Sequence, residues 1–258
     1  MPEGVEKFLR ETRPLGISDR WAERFWVQKK GRHEDALAGA KAFKATADEY
    51  GIWTAGLDEE AVESIMSGKV WIADARPGHP AVLGFRGKFH DASVCPSVMV
   101  RLVAVLVQVL LSSEHAVENG FCFVMDAEGI GWNNFSLDAE RIYMSLFTSL
   151  PVRLTRIVTL NPSLLMRAMM NLMWPFIGTK MRERMVLRTS EQLGEVLHPD
   201  QHPEYLGGAI PSSPEAVLAR IRASYRPWVT EEQLAALAAE RSGAAGSGAA
   251  ATSSEASA

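Results

Sequence analysis

One long apolar segment constrains the fold more than any other part of the sequence. Between Val98 and Leu111 only Arg101 and Gln108 are polar, so a helix formed here would be apolar nearly all round. A helix of that kind has to be buried. Pro96 stands just before the segment, where proline suits the first turn of a helix. The rest of the chain must therefore pack around this helix.

Short apolar runs of strand length alternate with helical patterns after residue 70. One helical pattern, LDAERIYMSLFTSL, places Ile142, Leu146 and Leu150 on one face. Strands alternating with helices favour parallel pairing through right-handed crossovers. We predict an α/β fold in which helices flank a mixed, mostly parallel β-sheet, with strands at 70–76, 81–89, 120–129, 156–163 and 184–189.

Two helical patterns precede the first strand. Ser18 can cap the first of them, and the segment HEDALAGAKAFKATADEY forms the second. Ser213 and Thr230 can each start a short helix after the last strand. The predicted organisation is a helical lobe at 1–52, an α/β domain at 53–211, peripheral helices at 212–241 and a disordered, low-complexity tail at 242–258.

Composition narrows the choice of partners and compartment. The net charge is -4 and the pI is near 5.9, which argues against nucleic acid as the main partner. Two cysteines, Cys95 and Cys122, give neither a disulfide framework nor a zinc set. The N-terminal residues lack the apolar core of a secretory signal, and no run reaches transmembrane length. We expect a cytoplasmic protein.

The patterns associated with catalysis are incomplete. Cys95 and Arg101 have the Cys-x5-Arg spacing of cysteine phosphatases, but the residues between them contain no glycine for a phosphate-cradling loop. Asp126 and Glu128 lie at the end of a predicted strand without a nucleophile or a metal partner, so helix capping and turn chemistry explain them better. We predict a protein that is not an enzyme and that needs no cofactor or metal.

The segment LLMRAMMNLMWPFI, residues 164–177, contains four methionines and a single charge. It is too short to cross a bilayer, which takes roughly 20 apolar residues. Pro175 removes a helix hydrogen bond and so can act as a hinge. Composition alone allows two interpretations, a buried core helix with a proline kink or a mobile apolar lid.

An ordered set of motifs runs from residue 120 to 208: a strand followed by Asp-x-x-Gly, then Pro-x-Arg-Leu, Asn-Pro, Pro-Phe and Glu-Tyr-x-Gly-Gly. As a set, these motifs resemble the CRAL-TRIO (Sec14-like) lipid-binding domain family. The helices after Ser18 resemble the N-terminal lobe of the same family. Within it, SGK at 67–69, KMRERM at 180–185 and RTSE at 188–191 are similar to the module carried by a non-receptor tyrosine phosphatase.

The resemblance implies a gate helix at 164–177 over an apolar lipid cavity. It also implies basic residues for a headgroup at Lys29 and Arg184, whereas Lys30 and Arg182 fit exposed charges better. Three positions depart from the family: Val152 replaces an acidic headgroup residue, and Phe121 and Phe123 replace hydroxyl residues that hold a choline phosphate.

The function implied is the binding of one phospholipid, of anionic phosphoinositide or phosphatidylserine type, for presentation or transfer between membranes. Transient peripheral contact with a membrane would accompany the exchange. The alternative is a ligand-free interaction or regulatory scaffold, which the departures at the headgroup positions favour. The residues predicted to line the cavity are Trp71, Phe85, Phe123, Met125, Met144, Phe147, Met169, Met173 and Phe176.

Overall fold

The computed structural model describes residues 3–54, 57–225 and 232. Three helices come first: α1 (Glu3–Thr12), α2 (Asp19–Gln28) and α3 (His33–Tyr50). Gly51 ends α3 in the left-handed conformation that glycine adopts readily, with φ of 68°. These helices and the sheet contribute to one hydrophobic core. The division of the chain at residues 52 and 53 stays a prediction.

The sheet has five strands in the order β1-β2-β3-β4-β5. Strand β1 pairs antiparallel with β2, and the other three pairings are parallel. The prediction of a mixed, mostly parallel sheet flanked by helices is therefore confirmed. The strands are β1 (Val70–Ala73), β2 (Ala81–Arg86), β3 (Phe121–Asp126), β4 (Leu154–Leu160) and β5 (Met185–Arg188).

Seven further helices of the described residues lie around the strands. They are α4 (Glu59–Met66), α5 (Pro96–Leu110), α6 (Glu114–Asn119), α7 (Leu137–Ser149), α8 (Leu164–Met173), α9 (Thr179–Arg182) and α10 (Pro214–Ser224). Helix α5 is the apolar segment, and it is buried on nearly every side. Helix α5 ends before a turn at 111–113, and α6 follows as a separate helix.

One helix of the fold was not predicted from the sequence. Helix α4 has no counterpart among the predicted elements, and its N-cap Asp58 accepts a hydrogen bond from the backbone of Ala61. Ser213 caps α10 as expected. The helix expected from Thr230 and the tail at 242–258 lie outside the described residues, except for Glu232.

Candidate functional site

Helix α8 has one buried and one exposed apolar face. Met166, Met169 and Met173 point inward and are buried, whereas Leu164 is 87% exposed and Leu172 is 52% exposed. Ser163 starts the helix by accepting a hydrogen bond from the Met166 amide at 3.1 Å. A 3-10 turn over Trp174–Phe176, with Pro175 at its second residue, ends the helix.

The inner face of α8 packs separately from the main core. Met166 and Met169 form a small cluster with Ala127, and partly buried side chains such as Phe135 complete it. The large core contains none of these residues. A segment that shares little of the main core can move without disturbing it.

An apolar cavity of about 110 Å3 lies between α8, the sheet, α5 and α7. Alternate residues of a strand point to the same face of a sheet. Two rows across the strands therefore supply the floor of the cavity. The first row is Phe123, Ile157 and Met185, and the second is Phe85, Met125 and Thr159.

Methionine dominates the wall of this cavity. The sequence has 11 methionines, and eight of those in the described residues line the cavity. They come from two strands and from the helices α5, α7 and α8. Methionine is unbranched and has three rotatable bonds, so such a wall can reshape around an apolar ligand. The eight are Met99, Met125, Met144, Met166, Met169, Met170, Met173 and Met185.

Among the described residues, three ionisable side chains line the same cavity. Burial raises the pKa of Glu140 to about 7, and burial, with Lys69 as a second cause, lowers the pKa of His90 to about 4. The Tyr143 hydroxyl is buried, and burial and the nearby Glu140 raise its pKa. None of the described residues that line the cavity is a lysine or an arginine.

A second, more open cleft of about 1000 Å3 lies beside the cavity. Within the described part of the chain, no acidic residue lines this basic cleft, whereas seven basic residues do. Its field should therefore attract anions. The seven are Lys29, Lys30, Arg32, Arg141, Arg153, Lys180 and Arg184.

Most of these cations keep their charge available. Arg32 pairs with Asp35 and Arg141 pairs with Asp138, in both cases at the protein surface. The remaining five form no ion pair with any described residue. Exposed pairs such as the two on Arg32 and Arg141 contribute little and can be exchanged for an anionic ligand.

The cavity and the basic cleft meet. Four side chains line both of them, namely Met144, Phe147, Met173 and Ile177. An amphiphilic molecule can therefore place its apolar part in the cavity and its charged part in the cleft without crossing any other element.

Two arginines attach the end of the gate segment to its surroundings. Arg182 donates from Nε to the carbonyl of Ile177 at 2.6 Å and from its terminal nitrogen to the carbonyl of Trp174 at 2.8 Å. The Arg141 guanidinium carbon lies 3.9 Å from the ring centroid of Phe176. Arg182 is thus committed to backbone carbonyls, and Arg141 contacts the gate from α7.

The structure places the predicted site residues in three locations. Lys29 and Arg184 both lie in the basic cleft. Trp71 is buried away from the cavity, and Phe176 lines the cleft but not the cavity. The other predicted lining residues lie along the cavity, and their contact with a lipid stays a prediction: Phe85, Phe123, Met125, Met144, Phe147, Met169 and Met173.

Sequence reasoning overlooked Glu140, Tyr143 and His90 in the cavity and Arg141 in the cleft. The spacing of Glu140 and Tyr143 by three residues was a weak signal, because it puts them on one side of a helix.

The Cys-x5-Arg spacing has a structural use. Arg101 donates hydrogen bonds to Glu60 and to Ser97, and the Cys95 sulfur lies 3.1 Å from the Ser97 hydroxyl. The arginine is thus held on α4 and α5. Among the described residues no group of histidines, cysteines and carboxylates has the arrangement of a metal site, and no helix is both long and apolar enough to span a bilayer.

A mixed sheet carrying a helix over an apolar cavity is the arrangement of a Sec14-like, lipid-binding fold. The chain belongs to the CRAL/TRIO domain family, whose model matches residues 67–208. The solved structure titled "Crystal structure of Sfh5" has the same fold. It superposes with a TM-score of 0.59 and 15% sequence identity, over 87% of this chain and 81% of that one.

Two curated relatives are also similar to parts of the chain. Tyrosine-protein phosphatase non-receptor type 9 from Homo sapiens is 23% identical over 212 residues, or 81% of this chain. Clavesin-1 from Xenopus laevis is 26% identical over 124 residues, or 44% of this chain. The chain spans only 36% of the length of each of these two relatives.

Proposed function

We propose that this protein binds one anionic phospholipid and presents it or transfers it between membranes. The acyl chains would occupy the apolar cavity beneath α8, and the phosphate-bearing headgroup would lie in the basic cleft. The role is binding without catalysis, in a protein that stays in the cytoplasm and contacts membranes transiently.

The observation that carries this proposal is the junction of the cavity and the cleft at Met144, Phe147, Met173 and Ile177. A phospholipid combines long apolar chains with a compact charged group. The site has two matching parts: the apolar cavity can hold the acyl chains, and the adjoining cleft, with its seven basic residues, can hold the charged group. Charge-assisted bonds from Lys or Arg to phosphate are among the strongest hydrogen bonds in proteins.

The gate supports membrane contact during exchange. Its outward-facing Leu164 and Leu172 are exposed, as are Trp174 and Phe176 in the turn that follows. Exposed apolar side chains that cluster on one surface mark an interaction site. Arg167, Lys180 and Arg184 lie on or near the same segment, which suits a bilayer that contains anionic lipids.

The test is lipid pickup from liposomes containing phosphatidylinositol, its phosphates and phosphatidylserine, with native mass spectrometry as the readout. We expect a one-to-one adduct whose mass identifies the lipid class. The double variant Lys29→Ala and Arg184→Ala should reduce pickup of the anionic lipid by about tenfold or more, since a bond to a charged group contributes about 1.5–3 kcal/mol.

A matched control removes the same charge elsewhere. Lys41 on α3 and Arg222 on α10 are exposed and lie outside the cleft. The double variant Lys41→Ala and Arg222→Ala should pick up lipid as the unchanged protein does. Equal losses in both double variants would show that net charge, and not the cleft, determines pickup.

One observation favours the second candidate, a ligand-free scaffold for protein interaction. Cavities that hold small molecules usually measure about 300–1,000 Å3, and the cavity is smaller, at about 110 Å3. Folded protein that extracts no lipid from any of the liposomes would support the scaffold and contradict lipid transfer.

A further inference from the structure

Glu140 is an acidic side chain in the wall of an otherwise largely apolar cavity. It is partly buried on α7, and it lines the cavity together with side chains from the inner face of α8, such as Met166 and Met169. Its carboxyl group forms no ion pair with any described residue. A carboxylate that lacks both a partner and water is unfavourable, so this arrangement favours the protonated acid.

Helix α8 is the part of the cavity wall that can withdraw. It packs on α7, but its inner face belongs to a small cluster that is separate from the main core. An outward movement of α8 therefore leaves the main core intact. The same movement opens the cavity on the side of Glu140 and admits water to its carboxyl group.

Proton binding at Glu140 is consequently coupled to the position of α8. With α8 in place, burial raises the pKa of Glu140 from the usual 4.5 to about 7. Water in the opened cavity returns the pKa toward its usual value. The closed form then holds the proton more tightly, so a rise in pH between these two values shifts the equilibrium toward the open form. For a single proton, the ratio of open to closed protein changes by up to about tenfold per pH unit.

His90 is the second group in the wall that could respond to pH in this range. It is 5% exposed, and its ring contacts the rings of Phe85 and Tyr143, with centroids 5.6 Å and 6.3 Å away. Burial and, after it, the charge of Lys69 lower the pKa of His90 to about 4. These neighbours belong to β2, to α7 and to the residue before β1. They stay in place when α8 moves, so His90 remains neutral in both forms.

The other charged groups around Glu140 do not titrate near neutral pH inside the cavity. Burial and the nearby Glu140 raise the pKa of Tyr143, which is therefore uncharged. Arg141 lines the basic cleft and pairs at the surface with Asp138. Among the described residues, α5, α8 and the strands supply no ionisable side chain to the cavity wall.

We propose that Glu140 is a proton-controlled latch of the gate: the protonated acid keeps α8 closed over the cavity, and the ionised carboxylate favours its opening. The inference rests on the proposed function, because the latch regulates exchange at the same site. An acyl chain in the cavity leaves Glu140 in apolar surroundings, so the closed form with lipid also prefers the protonated acid. Lipid is therefore retained at lower pH and exchanged faster at higher pH.

The test measures the position of α8 in the lipid-free full chain by the distance between two spin labels. One label is attached at Leu172→Cys on the outer face of α8, where the side chain is 52% exposed. The other is attached at Lys41→Cys, an exposed position on α3. Cys95→Ser removes the exposed native thiol, and Cys122 is buried and stays unlabelled. The populations of the two distances between pH 5 and pH 8 give the ratio of open to closed protein.

We expect this ratio, divided by the ratio in the same protein with Glu140→Gln, to rise by at least about tenfold from pH 5 to pH 8. The division cancels any contribution from His90, which both proteins contain. Glu140→Asp keeps a carboxyl group on α7 and should retain the rise. Glu118→Gln is the matched control, because Glu118 on α6 is exposed and lines neither the cavity nor the cleft. It should leave the rise unchanged.

Three results would overturn the latch. The first is an equal ratio with and without Glu140→Gln at every pH, and the second is a relative ratio that falls as the pH rises. The third is a single distance in every protein at every pH, because α8 then does not open by itself. If Glu118→Gln abolished the rise as Glu140→Gln does, the titrating charge would lie on the surface and the latch would be overturned as well.

Lipid pickup from liposomes separates this proposal from the proposed function. The spin-label measurement contains no lipid and so does not depend on pickup. Normal pickup of anionic lipid without a pH-dependent distance identifies failure of the latch alone. A pH-dependent distance in a protein that picks up no lipid identifies failure of the proposed transfer function, whereas the latch stands.

Discussion

The Arg141 guanidinium carbon lies 3.9 Å from the centroid of the Phe176 ring. Arg141 belongs to α7 and lines the basic cleft, and Phe176 belongs to the turn that ends the gate segment. The contact therefore connects the place where an anionic headgroup would bind to the element that covers the cavity. An anion that draws Arg141 away from the ring would release the end of the gate.

We expect Arg141→Ala to open the gate more often. A cation–π contact contributes about 0.5–2 kcal/mol, so its loss should raise the open population by about two- to thirtyfold. Hydrogen exchange measures this directly, and the amides of α8 should exchange faster in the variant, whereas those of α5 should not change.

Arg153→Ala is the control for that measurement. Arg153 also lines the basic cleft, and no ring contact involves it among the described residues. It should leave exchange in α8 unchanged. Similar acceleration in both variants would attribute the effect to cleft charge and would contradict a role for the Phe176 contact.

Membrane attachment should depend on the outer face of α8. Changing Leu164 and Leu172 to Ser removes two exposed apolar side chains, at a cost to stability that should stay within about 0.5 kcal/mol. We expect co-sedimentation with anionic liposomes to fall by about tenfold or more, because each leucine that is buried in the bilayer contributes about 1.5–3 kcal/mol.

Met66 offers the comparison for that pair of changes. It is 40% exposed and ends α4, a helix that packs on α5 and α10. Met66→Ser should leave liposome binding as it was. An equal fall in both proteins would contradict docking through the gate.

Local patterns in the sequence predicted much of the fold. The apolar segment from Val98 to Leu111 forms a buried helix, as its lack of a polar face required. The run at 120–129 contains β3, the middle strand of the sheet. The break at Trp174 and Pro175 also follows from the residues themselves, because proline cannot continue the hydrogen bonding of a helix.

Other features depend on contacts between distant parts of the chain. The helical pattern around Glu140 placed Ile142, Leu146 and Leu150 on one face and did not indicate any role for Glu140. Its enclosure arises because α8 packs on α7 and because β2 and β3 supply the facing side of the cavity. No pattern within α7 contains that information.

The antiparallel pairing of β1 with β2 constrains Gly84. A Cβ atom at Gly84 would overlap the indole ring of Trp71, its partner across the two strands. Trp71 is fully buried and has no space to withdraw. Gly84→Ala should therefore lower the free energy of unfolding by about 1–3 kcal/mol or more, measured by urea denaturation.

A second change shows whether the Trp71 ring is the cause. In a protein that already carries Trp71→Leu, the smaller side chain leaves room for a methyl group. Gly84→Ala should therefore lower the free energy of unfolding by less in that variant than in the unchanged protein. Gly194→Ala is the neutral control, because a Cβ atom at that glycine has no atom within 4 Å. Equal costs of Gly84→Ala in both backgrounds would contradict the steric explanation.

The enclosed Glu140 should make stability depend on pH. Burial raises its pKa from the usual 4.5 to about 7 in the folded protein. Between these two values the folded state binds more protons than the unfolded state, so this residue lowers stability as pH rises through that range. Glu140→Gln removes this pH dependence. Relative to the unchanged protein, the free energy of unfolding of the variant should rise by up to roughly 3 kcal/mol between pH 5 and pH 8.

His90 acts in the opposite direction, so only the difference between the two proteins isolates Glu140. Its pKa falls to about 4, and the stability it contributes rises with pH from there to its usual value of 6.5. His90 and Tyr143, the other titratable groups among the described residues of the cavity wall, are the same in both proteins. Urea denaturation at several pH values gives the difference in the free energy of unfolding between the two proteins. A difference that stays constant from pH 5 to pH 8 would mean that Glu140 is hydrated and ionised throughout.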